Sequence, residues 1–457
     1  MQEKQNPLKT ERISVLLRRF AVPSIIAMLV GALYNIVDQF FIGQSIGELG
    51  NAATNVAFPL STMCIAISLL FGIGGASAFN LTMGRGDPKR AIHFIGNAAA
   101  MLVLCGTVLC IVVRLFLTPM LCAFGAPDNV LPLARTYTGI TSLGFPFLIL
   151  STGGGHLIRA DGSPRFSMTC NLTGAIINTI LDPLFIFGFG WGMAGAALAT
   201  IIGQFVAAIL VIRYLMHYKT VPLQRRHLRP RWEYIRWIMS LGAASCFNQI
   251  AITVVQIVMN NSLTYYGALS IYGESIPLAC AGIITKVNQI FLSVIIGLAQ
   301  AIQPLASFNY GAKQYGRVRQ TYRLAVSVGF SIALLSFVVF QGIPRQIISL
   351  FGSGDELYFQ FAVSYFRIFL LCTFLNFLQP ITSTFFTAIG KPKKGMFLSM
   401  TRQILFLLPL IVILPLWFGI DGILYSGPIA DFIAALVSFL MIRFEMRHMP
   451  ADGCPAS

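Results

Sequence analysis

Charge is what this chain has least of. Only 11% of its 457 residues are Asp, Glu, Lys or Arg, and the acidic ones number 16 against 32 basic. A soluble domain carries about 25% charged residues, so this chain cannot cover a water-facing surface. Soluble-enzyme signatures are missing as well. There is no G-x-x-x-x-G-K-[ST] phosphate loop and no H-E-x-x-H metal helix. The five histidines (His93, His156, His217, His227 and His448) fall at the ends of apolar stretches, in loops or in the tail. With no machinery for ATP hydrolysis and no catalytic constellation, the expectation is a protein that is not an enzyme and holds no cofactor.

What is present is apolar length. The composition is 56% hydrophobic and the mean hydropathy is +0.76. Stretches of about 20 apolar residues can cross the hydrocarbon, where only helices or closed barrels satisfy the backbone. These stretches are continuous rather than alternating, which selects helices. The pattern predicts twelve spans near 20–43, 53–80, 91–116, 131–158, 165–188, 190–215, 234–262, 275–305, 320–344, 358–387, 394–416 and 421–443. The first 19 residues are polar and basic and no small-residue cleavage site follows, so the first span is expected to be a retained helix. Seven of the nine cysteines (Cys64, Cys105, Cys110, Cys170, Cys246, Cys280 and Cys372) lie inside apolar spans and read as small hydrophobes.

The net charge of +16 could point to nucleic acid, but its distribution excludes that. Basic residues gather in alternate loops: Lys4, Lys9, Arg12, Arg18 and Arg19, then Arg85, Lys89 and Arg90, then Arg159 and Arg165. The run from Arg213 to Arg236 follows, then Lys313 to Arg323, Lys391 to Lys394, and Arg443 with Arg447. Under the positive-inside rule this side is the cytoplasm. Both termini are expected there, in a bacterial cytoplasmic (inner) membrane.

The two halves repeat at an offset of 227 to 228 residues. Gly84 and Arg90 align with Gly311 and Arg317, Phe124-Gly125 with Phe351-Gly352, and Tyr137 with Tyr365. The turn 160–165 aligns with 388–393, and Gly192 and Gly195 with Gly419 and Gly422. The chain reads as an all-α polytopic membrane protein, with twelve transmembrane helices as two six-helix bundles related by a pseudo-twofold axis along the membrane normal. Parallel repeats of this kind are a transporter design, with substrate bound between the lobes. The expected division is an N-terminal lobe at 1–215, a basic linker at 216–233 that reads as a solvated loop, and a C-terminal lobe with a short tail at 234–457.

An ionisable residue at a helix centre costs roughly 2.5 to 3.5 kcal/mol on insertion scales, so such residues are functional candidates. Six lie well inside the spans: Asp38, Asp182, Lys286, Arg367, Arg402 and Asp431. Asp38 and Asp182 sit five to six residues from the outer ends of their spans, about 8 to 9 Å deep, in one layer. Asn178 precedes Asp182 by one helical turn, and Ala196 and Thr200 are spaced likewise. Two carboxylates, an amide and a hydroxyl supply the oxygens that a hard cation such as Na+ prefers. The same pair could carry a proton instead. Arg402 and Asp431 read as a buried ion pair of local structural value, and Lys286 as an ammonium without a partner. Tyr34, Asn35 and Gln39 join them as candidates for the cavity or its charge network. Pro23 can kink the first helix or start it.

Several motifs together resemble the multidrug and toxic compound extrusion (MATE) family, in its MepA-like and DinF-like bacterial branch. They are Val22-Pro23 and Tyr34-Asn35-Ile36-Val37-Asp38, the Gly162-Ser163-Pro164 turn, Asn178-x-x-x-Asp182-Pro183, the run from Gly192 to Thr200, and Ala299 to Leu305 leading to Phe308-Asn309-Tyr310-Gly311-Ala312-Lys313. The resemblance implies a V-shaped pair of bundles and drug export by antiport against Na+ or H+. It maps a coupling site onto Asp38, Asn178, Asp182 and Thr200, with the Ala196 carbonyl nearby, and a bending proline onto Pro23. The NorM-like branch carries acids in helices 7 and 10, and the spans here hold none beyond the mouth, so one ion site is expected rather than two. The expected partners are small drugs or toxic organic cations and the lipid bilayer, with no nucleic acid, and the chain is expected to be a monomer. The competing reading is a flippase for a lipid-linked sugar or a metabolite. Such a protein would line its cavity with Lys and Arg to hold a pyrophosphate, and the first lobe offers none there.

Overall fold

A computed structural model of the chain describes residues 7–124, 126–273, 275–351 and 356–452. Lys4, Gly125 and Gly352 lie outside the described residues. Among the described residues the secondary structure is helical, with no strand. A short turn at Pro7–Thr10 leads into α1 (Ile13–Ile46), α2 (Glu48–Gly84), α3 (Pro88–Leu115), α4 (131–160), α5 (Pro164–Gly188) and α6 (Gly192–Met216). The second set is α7 (Trp232–Ala268), α8 (Ser275–Gly311), α9 (Tyr315–Gly342), α10 (356–388), α11 (Pro392–Phe418) and α12 (Ile420–His448). Short helices follow α3 and α9, at Leu117–Ala123 and Pro344–Phe351.

Eleven of the helices are individually long and apolar enough to cross a membrane. The twelfth crossing, α4, is broken into Leu131–Thr141 and Phe145–Ala160 by a 3-10 turn at Ser142–Gly144. Pro146 lies in the first turn of the second piece, where its missing N–H breaks no helical bond. At the equivalent place α10 also breaks, ending one helix at Phe369 and starting the next at Leu378. Most helices outrun their apolar cores. α1 starts at Ile13 rather than near 20, because Arg18 and Arg19 remain helical where the helix passes out of the apolar layer. Pro23 is therefore inside α1, not at its start, and deprives the Arg19 carbonyl of its helical partner.

The repeat reaches down to individual hydrogen bonds. After α2, the amides of Gly86 and Asp87 donate to the Met83 and Thr82 carbonyls at 3.0 and 3.2 Å. After α8, those of Lys313 and Gln314 donate to Tyr310 and Asn309 at 3.1 and 2.9 Å. Both are helix ends that reverse through a left-handed residue. The turns after α4 and α10 match in the same way, through Gly162 and Gly390.

The halves meet on the basic face. α2 packs along α7 and α8, and α1 along α8. Four glycines make this approach possible. A Cβ on Gly74 would strike the Ile238 carbonyl, one on Gly242 the Leu70 carbonyl, one on Gly84 the Phe308 carbonyl, and one on Gly311 the Leu81 carbonyl. The Gln303 amide of α8 donates to Ile73 O at 3.0 Å and to Ser77 Oγ at 2.9 Å on α2. Arg317 of α9 donates to the Leu8 and Glu11 carbonyls at 3.0 and 2.7 Å. Toward the other face the packing loosens: a Cβ at Gly31 of α1 or Gly282 of α8 would meet nothing within 4 Å.

The linker is mostly exposed, as expected of a solvated loop, and is pinned to the first half at a few buried points. Tyr218 is buried and its hydroxyl donates to Leu157 O at 2.9 Å. Asn97 of α3 donates to His227 O at 3.3 Å and accepts from the Arg231 amide at 2.7 Å. Asp161 takes the Lys219 and Thr220 amides at 2.8 and 2.9 Å. In the second half the matching corner is tied with charge instead, Glu445 of α12 receiving Lys391 and Lys394 at 2.6 and 2.7 Å.

Candidate functional site

Asp38, halfway along the outer part of α1, and Asp182, near the end of α5, come together where α1, α5 and α6 pack. Because α1 continues to Ile46, Asp38 lies eight residues, about 12 Å along the axis, before the end of its helix. The two carboxyls are within hydrogen-bonding reach of each other. Asn178, one turn before Asp182, donates to Asp182 Oδ1 at 3.4 Å and to Thr200 Oγ1 at 3.2 Å. The Thr200 hydroxyl donates to Ala196 O at 3.0 Å. All five residues are buried, with Asp182 wholly so and Asp38 9% exposed.

Three oxygens of this cluster have no hydrogen-bond partner: Asp38 Oδ1, Asn178 Oδ1 and Asp182 Oδ2. Unpaired buried oxygens are costly, and two touching carboxylates cannot both remain bare anions. Among the described residues no Lys, Arg or His is in an ion pair with either acid. The arrangement is suited to a small cation or a shared proton. Its donors are all oxygen, which fits a hard ion and not zinc. On the side away from the basic face, Ile42, Ile186, Met193 and Ala134 form an apolar cluster that includes Ala196.

Among the weaker candidates, Tyr34 is brought into the cluster: it lies close to Thr200 and to both acids. Asn35 is exposed and donates to Gly31 O within its own helix at 2.8 Å, and Gln39 is half-buried. Tyr137 of α4 also approaches Asp38, Asp182 and Tyr34, and its neighbour Thr138 has a buried hydroxyl without a partner. Sequence reasoning had Tyr137 only as a repeat match to Tyr365. A polar pair inside an apolar span was the available signal for Tyr137-Thr138.

In the second half, Arg402 Nε donates to Asp431 Oδ1 at 2.5 Å and both are buried. Arg402 sits in a π-helical stretch, Thr401–Leu407, which turns its side chain toward α12. Lys286 is half-buried on α8 and in no ion pair among the described residues. Arg367 was expected well inside a span. It is exposed, and its carbonyl accepts from Gln341, one residue before the end of α9, so it lies toward the face opposite the basic one. Conversely Arg159, counted with the loops, is buried in the last turn of α4, where it donates to Ser167 Oγ at 3.0 Å and bonds His156 Nδ1 at 2.9 Å. Glu233 and Glu356, at the mouths of α7 and α10, pair with Arg90 and Arg345.

A twelve-helix membrane protein of two matching bundles, with a cluster of two buried acids, an amide and a hydroxyl in the first bundle, is the class that fold and site define. The family model described as MatE matches residues 23–184 and 244–413, once in each half, and the chain belongs to that family. It is 25% identical over 435 residues to the multidrug export protein MepA of Staphylococcus aureus strain N315, covering 95% of this chain and 94% of that one. The figures for MepA of Staphylococcus saprophyticus subsp. saprophyticus are the same. A solved structure described as the outward-facing conformation of a multidrug resistance MATE family transporter of the MOP superfamily superposes with a TM-score of 0.90. It is 22% identical and covers 98% of this chain and 99% of that chain.

Proposed function

We propose that this protein is a secondary active multidrug exporter, moving lipophilic and cationic compounds out of the cell in exchange for Na+ or H+. In this reading it spans the bacterial cytoplasmic membrane with both termini inside. The halves 1–215 and 234–457, joined by 216–233, rock about the glycine contacts. The observation that supports coupling is the buried approach of Asp38 to Asp182, each with an unpaired oxygen, beside the unpaired Asn178 Oδ1.

Asp38, Asn178, Asp182, Thr200 and the Ala196 carbonyl hold the coupling ion, and Tyr34 and Tyr137 connect that cluster to the drug cavity. Loading the carboxylates with a cation removes the negative charge that attracts a cationic drug. The two ligands therefore disfavour one another, and the inward gradient of one drives the other outward. Pro23 gives α1 a point of weakness about four turns from Asp38, through which occupancy at the cluster alters the helix.

The test is ethidium efflux from energised cells, or uptake into everted vesicles, under separately imposed Na+ and proton gradients. Efflux that follows one gradient identifies the ion. Efflux that follows neither, with the protein verified in the membrane, overturns the antiporter reading.

A further inference from the structure

A groove lies on the basic face between the start of α5, the first turns of α1 and the linker. Its volume is about 500 Å³, and Arg19, Ser163, Arg165, Phe166, Thr169 and Lys219 line it. A second cavity of about 370 Å³ shares Gly162 and Lys219 with the first and reaches Asn80 of α2. Asn80 is 2% exposed and its amide nitrogen has no acceptor.

We propose that this groove binds the headgroup of an anionic phospholipid. Three cations line it and little offsets them. Arg165 is in no ion pair among the described residues. Arg19 meets Glu11 only at 3.7 Å, with both side chains about half exposed, a pair worth little. Lys219 Nζ donates to the Ser163 hydroxyl at 3.0 Å. Besides Glu11, the nearby acid is Asp161 in the adjoining cavity, and it is saturated: the Tyr214 hydroxyl, the Lys219 and Thr220 amides and the Thr220 hydroxyl all donate to it. The groove thus offers donors and an excess of positive charge, the complement of a phosphodiester. The start of α5 adds its helix dipole in the same sense.

The surroundings favour a lipid over a soluble phosphate. Along α1, Val22 and Ile26 follow Arg19 by three and seven residues on one face and are 49% and 38% exposed. A charged end running into an exposed apolar stripe matches a headgroup with its acyl chains, and a free phosphate would gain nothing from the stripe.

Native mass spectrometry of the purified full-length protein decides the matter, with dioleoylphosphatidylglycerol, dioleoylphosphatidylcholine and sn-glycerol 3-phosphate as probes. Phosphatidylglycerol should be retained over phosphatidylcholine by about tenfold or more. The preference should vanish in Arg165→Ala/Lys219→Ala and persist in Lys393→Ala, an exposed cation of the same face outside the groove. If the double variant fails to fold, the exposed single changes Arg19→Ala and Arg165→Ala carry the same comparison. Equal binding of the two lipids, an unchanged preference in the variants, or displacement by equimolar glycerol phosphate would each overturn the proposal.

Discussion

Lys313 stands in the second half where Gly86 stands in the first, and both hold a left-handed backbone, at φ 58° and 83°. The turn requires that conformation because its two hydrogen bonds close only around it. Glycine adopts it freely, whereas a Cβ makes it unfavourable. Lys313 is the only non-glycine with positive φ among the described residues, and its side chain is exposed. Lys313→Gly should therefore stabilise the protein by about 1 kcal/mol, seen as a higher Tm in detergent. A variant melting at or below the wild type would mean that Lys313 is not strained.

Asp38→Asn and Asp182→Asn each keep the shape of the cluster while removing one charge. Both should abolish gradient-driven ethidium efflux at normal expression and leave the thermal midpoint close to wild type. Full efflux from either verified variant would refute the coupling role of that acid.

Arg402 and Asp431 should behave differently. Removing one partner of a buried pair strands the other charge, typically at a cost of about 3 to 5 kcal/mol, whereas apolar replacement of both is often neutral. Asp431→Asn should lower expression and Tm, and Arg402→Met with Asp431→Leu should restore both. A stable Asp431→Asn protein with no transport would instead make the pair functional.

Gly84 and Gly311 face each other's helices closely enough that neither tolerates a side chain. Gly84→Val should prise the basic-face ends of α2 and α8 apart. Labelled cysteines placed on those ends should report a longer distance by double electron–electron resonance, and efflux should fall. An unchanged distance distribution would mean that the seal does not depend on this contact.

Much of this was legible in the sequence because the bilayer imposes simple rules. Long apolar runs gave the crossings, and the expense of buried charge pointed to Asp38 and Asp182, which depth alone placed in one layer. Helix ends were less legible: Arg18 and Arg19 are polar yet helical, and hydropathy cannot distinguish a polar helical turn from a loop. Nor does hydropathy locate the break in α4, which comes from a local 3-10 turn at Ser142–Gly144. The docking of the linker depends on Asp161 meeting Lys219 and Thr220 across a long sequence separation, which composition does not encode. Tyr137 was hidden for the same reason, since its approach to the acids is set by how α4 packs.

The glycine seal has a consequence for how the closed face responds to its surroundings. Its contacts are between backbones, reinforced by amide and guanidinium groups bonded to carbonyls, and the ion pair that joins α3 to α7, Arg90–Glu233, is more than half exposed on both sides. Exposed pairs contribute about 0 to 1 kcal/mol and are screened by salt. Under the alternating access proposed above, the balance between closed and open forms at this face should thus be nearly indifferent to ionic strength. With the basic face in the cytoplasm, as proposed, a cell that loses water and concentrates its salt would keep the same gate.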